Sequence, residues 1–139
     1  MKKILFMLSL VGVLSLSLFG SQINKEYRKE IQSSKFLKEV AKKINKNLPI
    51  LIDPMTKLVL VTASYKNLNY VYTITGEKYY SKIKSKDFTN YVIKKTCHNE
   101  KSLIFIGNGI QLNFYYYDIN RNLLNGILVK PIYCDYKEF

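Results

Sequence analysis

The sequence predicts an α+β fold of two layers, a four-stranded antiparallel sheet in helix-hairpin-helix-hairpin order with the helices on one face. Three observations predict it. Ile23 to Lys46 carries apolar residues at helical spacing, with Phe36, Leu37, Val40, Ala41, Ile44 and Leu48 on one stripe. Two later stretches, Lys57 to Thr75 and Ile110 to Cys134, alternate apolar and polar residues around short polar turns, which is the period of a strand. A weaker helical pattern, roughly Ser85 to Thr96, separates them. Strands segregated from helices in this way build a sheet with helices packed on one side.

The first helix contains Ser33 and Ser34, either of which can cap a firm second piece. Its lysines, Lys35, Lys38, Lys42, Lys43 and Lys46, lie mostly off the stripe, and Pro49 stops it. Ile50 to Thr56 reads as a connector, with Asp53-Pro54 favouring a turn. Lys57 to Ala63 and Leu68 to Thr75 read as a hairpin, and Gly76 to Lys82 as a loop. Leu103 to Ile106 fits a helical turn or a strand, and we read it as helical.

Ile110 to Cys134 is the aromatic hairpin. Its inner set is Ile110, Leu112, Phe114 and Tyr116, and its outer set is Gln111, Asn113, Tyr115 and Tyr117. Asp118 to Asn122 supplies the turn, because Asx side chains bond their own main chain. On the return strand Asn125, Ile127 and Val129 face in, and Leu124, Gly126 and Leu128 face out. Pro131 suits a strand end, and Asp135 to Phe139 reads as a frayed tail. The words Leu68-Asn69-Tyr70-Val71-Tyr72 and Leu112-Asn113-Phe114-Tyr115-Tyr116 stand 44 residues apart. They read as two strands with the same packing demand rather than as a tandem repeat.

Residues 1–20 read as a secretory signal peptide and residues 21–139 as one domain. Met1-Lys2-Lys3 is basic, Ile4 to Phe19 carries no charge, and Gly20-Ser21 offers small residues near a cleavage point. An uncleaved leader, anchoring the chain in the inner membrane, is the other reading of the same run. No Cys lies near residue 20, so lipoprotein processing is not expected. The expected location is the periplasm or the exterior. There, Cys97 and Cys134 are most simply one disulfide. A metal site built on Cys97 and the lone His98 would have adjacent ligands and no others, which is poor zinc spacing.

Formal charge is +12, and +10 without Lys2 and Lys3. Residues 24–46 hold eight basic and three acidic side chains, residues 76–101 seven and three, and residues 102–139 three and three. The excess therefore lies outside the aromatic hairpin. A basic surface suits an anionic membrane or glycan, and it also suits plain solvation. Export argues against nucleic acid. The ten acidic residues are scattered and form no close pair in sequence for acid/base work, and no phosphate-binding glycine loop occurs. We expect no enzyme, no cofactor and no metal.

What remains is surface. An open sheet face would carry Val71, Tyr115, Tyr117, Leu124 and Leu128, with Asn69, Thr73, Gln111 and Asn113 between them. Aromatic and aliphatic groups among amides suit contact with a protein partner. The run Leu48-Pro49…Asp53…Leu68-Asn69-Tyr70-Val71-Tyr72, then Cys97…Gly109…Leu112…Tyr115-Tyr116…Asp118…Cys134, resembles a recurring type of small exported bacterial protein of unassigned function. In outline the architecture is also similar to small periplasmic immunity proteins, which pair a helix with a four-stranded sheet and one disulfide. The expectation is a non-enzymatic periplasmic binding module, of inhibitor or immunity type, or else an envelope protein held to anionic lipid or glycan by its basic helices.

Overall fold

The structure, a computed structural model, describes residues 20–135, with side chains from residue 25. The expected leader lies outside them apart from Gly20, and so does the tail beyond Asp135. Helices α1 (Gly20–Gln32) and α2 (Ser34–Asn45) come first. Strands β1 (Ile50–Asp53), β2 (Thr56–Ser64) and β3 (Asn67–Ile74) follow. A 3₁₀ turn (Glu77–Tyr79) then leads into helices α3 (Tyr80–Ile83), α4 (Lys86–Cys97) and α5 (Glu100–Ile106). Strands β4 (Gln111–Tyr117) and β5 (Leu123–Val129) and a 3₁₀ turn (Pro131–Cys134) complete the described chain.

The helix boundaries follow from caps. The Ser33 hydroxyl accepts a hydrogen bond from the Phe36 N–H at 3.1 Å, and the Ser85 hydroxyl does the same for Phe88 at 3.1 Å. Each satisfies one of the donors that a helix start leaves orphaned. Asn99 caps α5, accepting from the N–H groups of Lys101 and Ser102. The helical reading of Leu103 to Ile106 therefore holds. Replacing Ser33 or Ser85 by Ala is expected to cost about 1 kcal/mol each. The urea midpoints of the two single variants check this, and an unchanged midpoint would remove the caps from the account.

The sheet corrects the expected architecture. It has five strands in the order β1-β2-β3-β4-β5 and is mixed, not four-stranded and antiparallel. The supposed connector is β1. Ile50 pairs with Leu58 and Leu51 with Lys57, across a turn in which Asp53 Oδ1 accepts from the Met55 N–H at 2.8 Å. The second difference is that β3 and β4 run parallel. The helices α3 to α5 between them form a crossover, and a crossover returns the chain in the same direction. The two similar five-residue words lie side by side in register: Leu68 with Leu112, Asn69 with Asn113, Tyr70 with Phe114, Val71 with Tyr115, Tyr72 with Tyr116. Like residues meet like because the strands share one packing environment.

The inner face has the expected residues. Leu68, Ile74, Leu112, Ile127 and Val129 are buried, and they meet Ile31, Leu37, Phe105 and Ile106 from the helices. Ala41 and Ile44 of α2 close on Leu58 and Val61 of β2. Asn45, the last residue of α2, clamps the β2 backbone: its amide donates to the Val61 carbonyl at 2.7 Å and accepts from the Val61 N–H at 2.8 Å. The helices thus lie on one face of the sheet.

The β4–β5 turn is the expected Asx turn. Asp118 accepts from the side chain of Asn122 at 2.9 Å and from the N–H groups of Asn120 and Asn122 at 2.8 Å each. These bonds, that of the Asn122 side chain first, hold its carboxyl below the usual carboxylate range. Cys97 and Cys134 form a disulfide with a Cα–Cα distance of 5.1 Å. The stretch read as a hairpin up to Cys134 stops short of it: β5 ends at Val129 and Pro131 opens the 3₁₀ turn, so the disulfide joins α4 to that turn.

Candidate docking cleft

The helices do not cover the inner face evenly. Helix α2 lies against β2, while α4 packs on β5 and α5 on β4. Between them β3 and β4 floor a cleft of 590 Å³. Tyr72, Phe114 and Tyr116 form its floor. Phe88, Tyr91, Val92 and Lys95 of α4 make one wall, and the β1–β2 turn, Ile52 to Thr56, the other. Tyr79, Lys82 and Ile83 line it as well, as do Asn99 and Ser102.

The floor is a row of rings. Tyr70 stacks on Phe114 with centroids 5.4 Å apart, and Tyr72 stacks on Tyr116 at 4.9 Å. Phe88 meets Tyr116 edge-on at 5.1 Å. These distances are those of favourable aromatic pairs. In-register parallel pairing of β3 and β4 builds the row, since it sets each ring beside the next.

The phenols of this row are uncharged over the neutral range. Burial pushes the Tyr70 hydroxyl up to about 12. Burial raises Tyr72 well above its ordinary value, with Tyr116 and Tyr70 adding to the effect. Tyr116 is raised by burial, then by Tyr91 and Asp53. The floor therefore offers apolar ring faces and neutral hydroxyls, a mixture suited to binding an amphipathic group. Both cysteines are in the disulfide, and His98 is exposed just after α4, its Nδ1 2.7 Å from the Lys94 carbonyl. Among the described residues no three His, Cys, Asp or Glu side chains cluster as metal ligands.

The opposite sheet face holds most of the residues expected there. The pairing places Val71, Tyr115 and Tyr117 on it, and Leu128 beside Asn113 at 42% exposure. Leu124 is the correction. Tyr116 pairs with Asn125 but Tyr117 with Leu123, so a bulge leaves Leu124 over, and it packs against the core instead. The centre of this face is a chain of amides. Gln111 donates to Asn113 at 2.7 Å, Asn113 to Asn69 at 2.8 Å, and Asn69 to Thr62 at 3.2 Å. Asn113 is only 4% exposed, and its amide is satisfied within the sheet.

Sequence reasoning assigned Tyr72, Phe114 and Tyr116 to the inner face but not to a cleft. The available signal was their chemistry. A closed core would be served by Leu or Ile, whereas Tyr at successive inner positions leaves a polar tip that needs an outlet.

Similar folds occur among proteins of known structure. A Pseudomonas aeruginosa protein described as secreted superposes with a TM-score of 0.67 at 15% identity, over 77% of this chain and 95% of that one. A pilotin from the type 2 secretion system of Vibrio vulnificus gives 0.62 at 13% identity, over 81% and 99%. A type II secretion system pilotin from Vibrio cholerae gives 0.59 at 13%, over 79% and 97%. At these identities the likeness is one of fold. No protein-family profile matches the sequence, and no curated protein matches it. Among the described residues no helix is long and apolar enough to cross a membrane.

Proposed function

We propose that this protein is a non-enzymatic, protein-binding module of the bacterial envelope, and that a partner segment docks in the cleft over Tyr72, Phe114 and Tyr116. The observation that carries this is the cleft itself, a half-covered row of aromatic rings with neutral hydroxyls on its floor and Asp53, Lys82 and Lys95 in its lining. Grooves of this kind take amphipathic segments, with apolar anchors seated and polar groups at the rim. The fold likeness to two secretion-system pilotins and a protein described as secreted supports an envelope setting and a binding role. An inhibitory or immunity-like action is one form that such binding can take.

The outer face, with Val71, Tyr115, Tyr117 and Leu128, is a second docking surface for the same role. The test is photo-crosslinking in the native envelope, with the reactive group at Tyr91 on the cleft wall and at Tyr115 and Lys42 for comparison. A discrete protein adduct from position 91 is expected. An adduct from position 115 alone would move the docking site to the outer face, and none from either would overturn the reading.

A second reading rests on α2, where Lys35, Lys38, Lys42 and Lys43 are exposed, and on Lys46 just after it, which is exposed as well. Such a row would hold the protein to anionic lipid or glycan. That retention must weaken between low and physiological salt, because exposed charges are screened beyond about 8 Å at 0.15 M. Retention that ignores salt would rule this reading out.

A further inference from the structure

We infer that the cleft is selective for a partner segment that carries carboxylates beside its apolar anchors, with Lys82 and Lys95 as the groups that hold them. This rests on the docking reading above and adds the chemistry of the occupant. Lys82 lies in α3 and Lys95 stands in the last turn of α4, and both line the cleft. Lys95 Nζ lies 5.6 Å from the centre of the Tyr91 ring, so the aromatic wall holds this cation at the cleft. Both lysines are exposed, and no carboxylate of a described residue pairs with either. Asp53 is the one carboxylate in the lining. The floor is neutral, so the cleft has cationic groups at its rim and none below.

Three occupants are conceivable, and two fit worse. A second copy would bring its own excess of lysine against Lys82 and Lys95, since the chain has 22 basic and 10 acidic residues. A plain acyl chain would strip water from the floor phenols and return no hydrogen bond. No hydrogen bond joins the Tyr72 or Tyr116 hydroxyl to a described residue, so both are free to meet polar groups of an occupant. A polypeptide with leucine-like anchors, polar flanks and one or two acidic residues satisfies the rings, the hydroxyls and the lysines together.

The test uses three fluorescein-labelled peptides of one design, with leucines at helical spacing and flanks of Glu, Gln or Lys, added to the oxidised protein at low salt. Anisotropy gives affinity, and NMR shifts at Phe114 and Tyr116 locate binding. The Glu peptide is expected to bind roughly five- to tenfold more tightly than the Gln peptide, as two exposed ion pairs allow. Lys82→Gln with Lys95→Gln should erase that preference while leaving the Gln peptide bound. Lys42→Gln with Lys43→Gln removes the same charge from α2 and should leave the preference intact.

Equal binding of Glu and Gln peptides in the cleft would overturn the inference and leave the docking reading standing. So would a preference that falls equally in both double variants, which would mark it as bulk charge. Oleate shifting Phe114 and Tyr116 while no peptide does would replace the peptide by an acyl ligand. Concentration-dependent dimerisation that shifts the same signals would replace it by a second copy. Cleft signals unmoved by all of these probes would remove the docking reading as well.

Discussion

Reducing the Cys97–Cys134 bond is expected to lower the stability of the fold by about 4 kcal/mol, from the chain entropy released by opening a loop of this length. The cysteines are 37 residues apart. The bond closes α5, β4 and β5 into one loop and ties the end of α4 to the turn that follows the last strand. A domain of this size has about 5–15 kcal/mol in hand, so the loss is a large fraction of it. The check is a guanidinium titration with and without reductant, alongside a Cys97→Ser/Cys134→Ser variant that should match the reduced protein. A change under about 1 kcal/mol would show that the bond restrains little, and would weaken the link between this fold and an oxidising compartment.

The second large effect is alkaline unfolding. Tyr70, Tyr72 and Tyr116 have hydroxyls raised above their ordinary value, chiefly by burial. A raised phenol stays protonated in the folded chain while the unfolded chain ionises. Its contribution is therefore whole below the unfolded value of about 10 and is lost as pH climbs through the folded value. For Tyr70 that window runs from 10 to about 12, a loss of about 3 kcal/mol at the upper end. Tyr72 and Tyr116 act in the same direction.

The chain has 12 tyrosines. Tyrosinate absorbance and far-ultraviolet circular dichroism, followed together, should show three phenols ionising only as the fold is lost. Tyr70→Phe should shift that transition to higher pH. Complete ionisation with the dichroism intact would contradict the burial of the row.

These two results probe the parts of the molecule that sequence reasoning saw best and saw least. The disulfide and the local elements were legible because their causes are local. Ser33 and Ser85 mark helix starts by the hydroxyl each offers to the third residue on. Asp118 announces its turn by bonding its own backbone. Leu68, Ile74, Leu112 and Ile127 fall on the inner face because alternation along a strand is a property of the backbone.

Strand β1 was hidden because four residues at an edge carry little pattern, and only pairing with Thr56 to Leu58 makes them a strand. The parallel join of β3 to β4 was hidden because residues 75–110 are long enough either to cross over or to return. Leu124 was misplaced because one extra residue in β5 breaks the alternation at a point that pairing alone decides.

By itself, then, the sequence determined the longer helices, the Asx turn, the disulfide partners and which side of β3 and β4 is apolar, since each follows from interactions among residues near in the chain or, for the cysteines, from there being only two. The stretch Gly76 to Lys82, read as a loop, instead holds a 3₁₀ turn and the start of α3, a single helical turn too short to show a periodic stripe. Only the tertiary structure decided strand direction, the bulge at Leu124 and the cleft over Tyr72, Phe114 and Tyr116. Those depend on where helices α2, α4 and α5 come to rest on the sheet, and how far apart two helices lie is a matter of packing that no single stretch encodes.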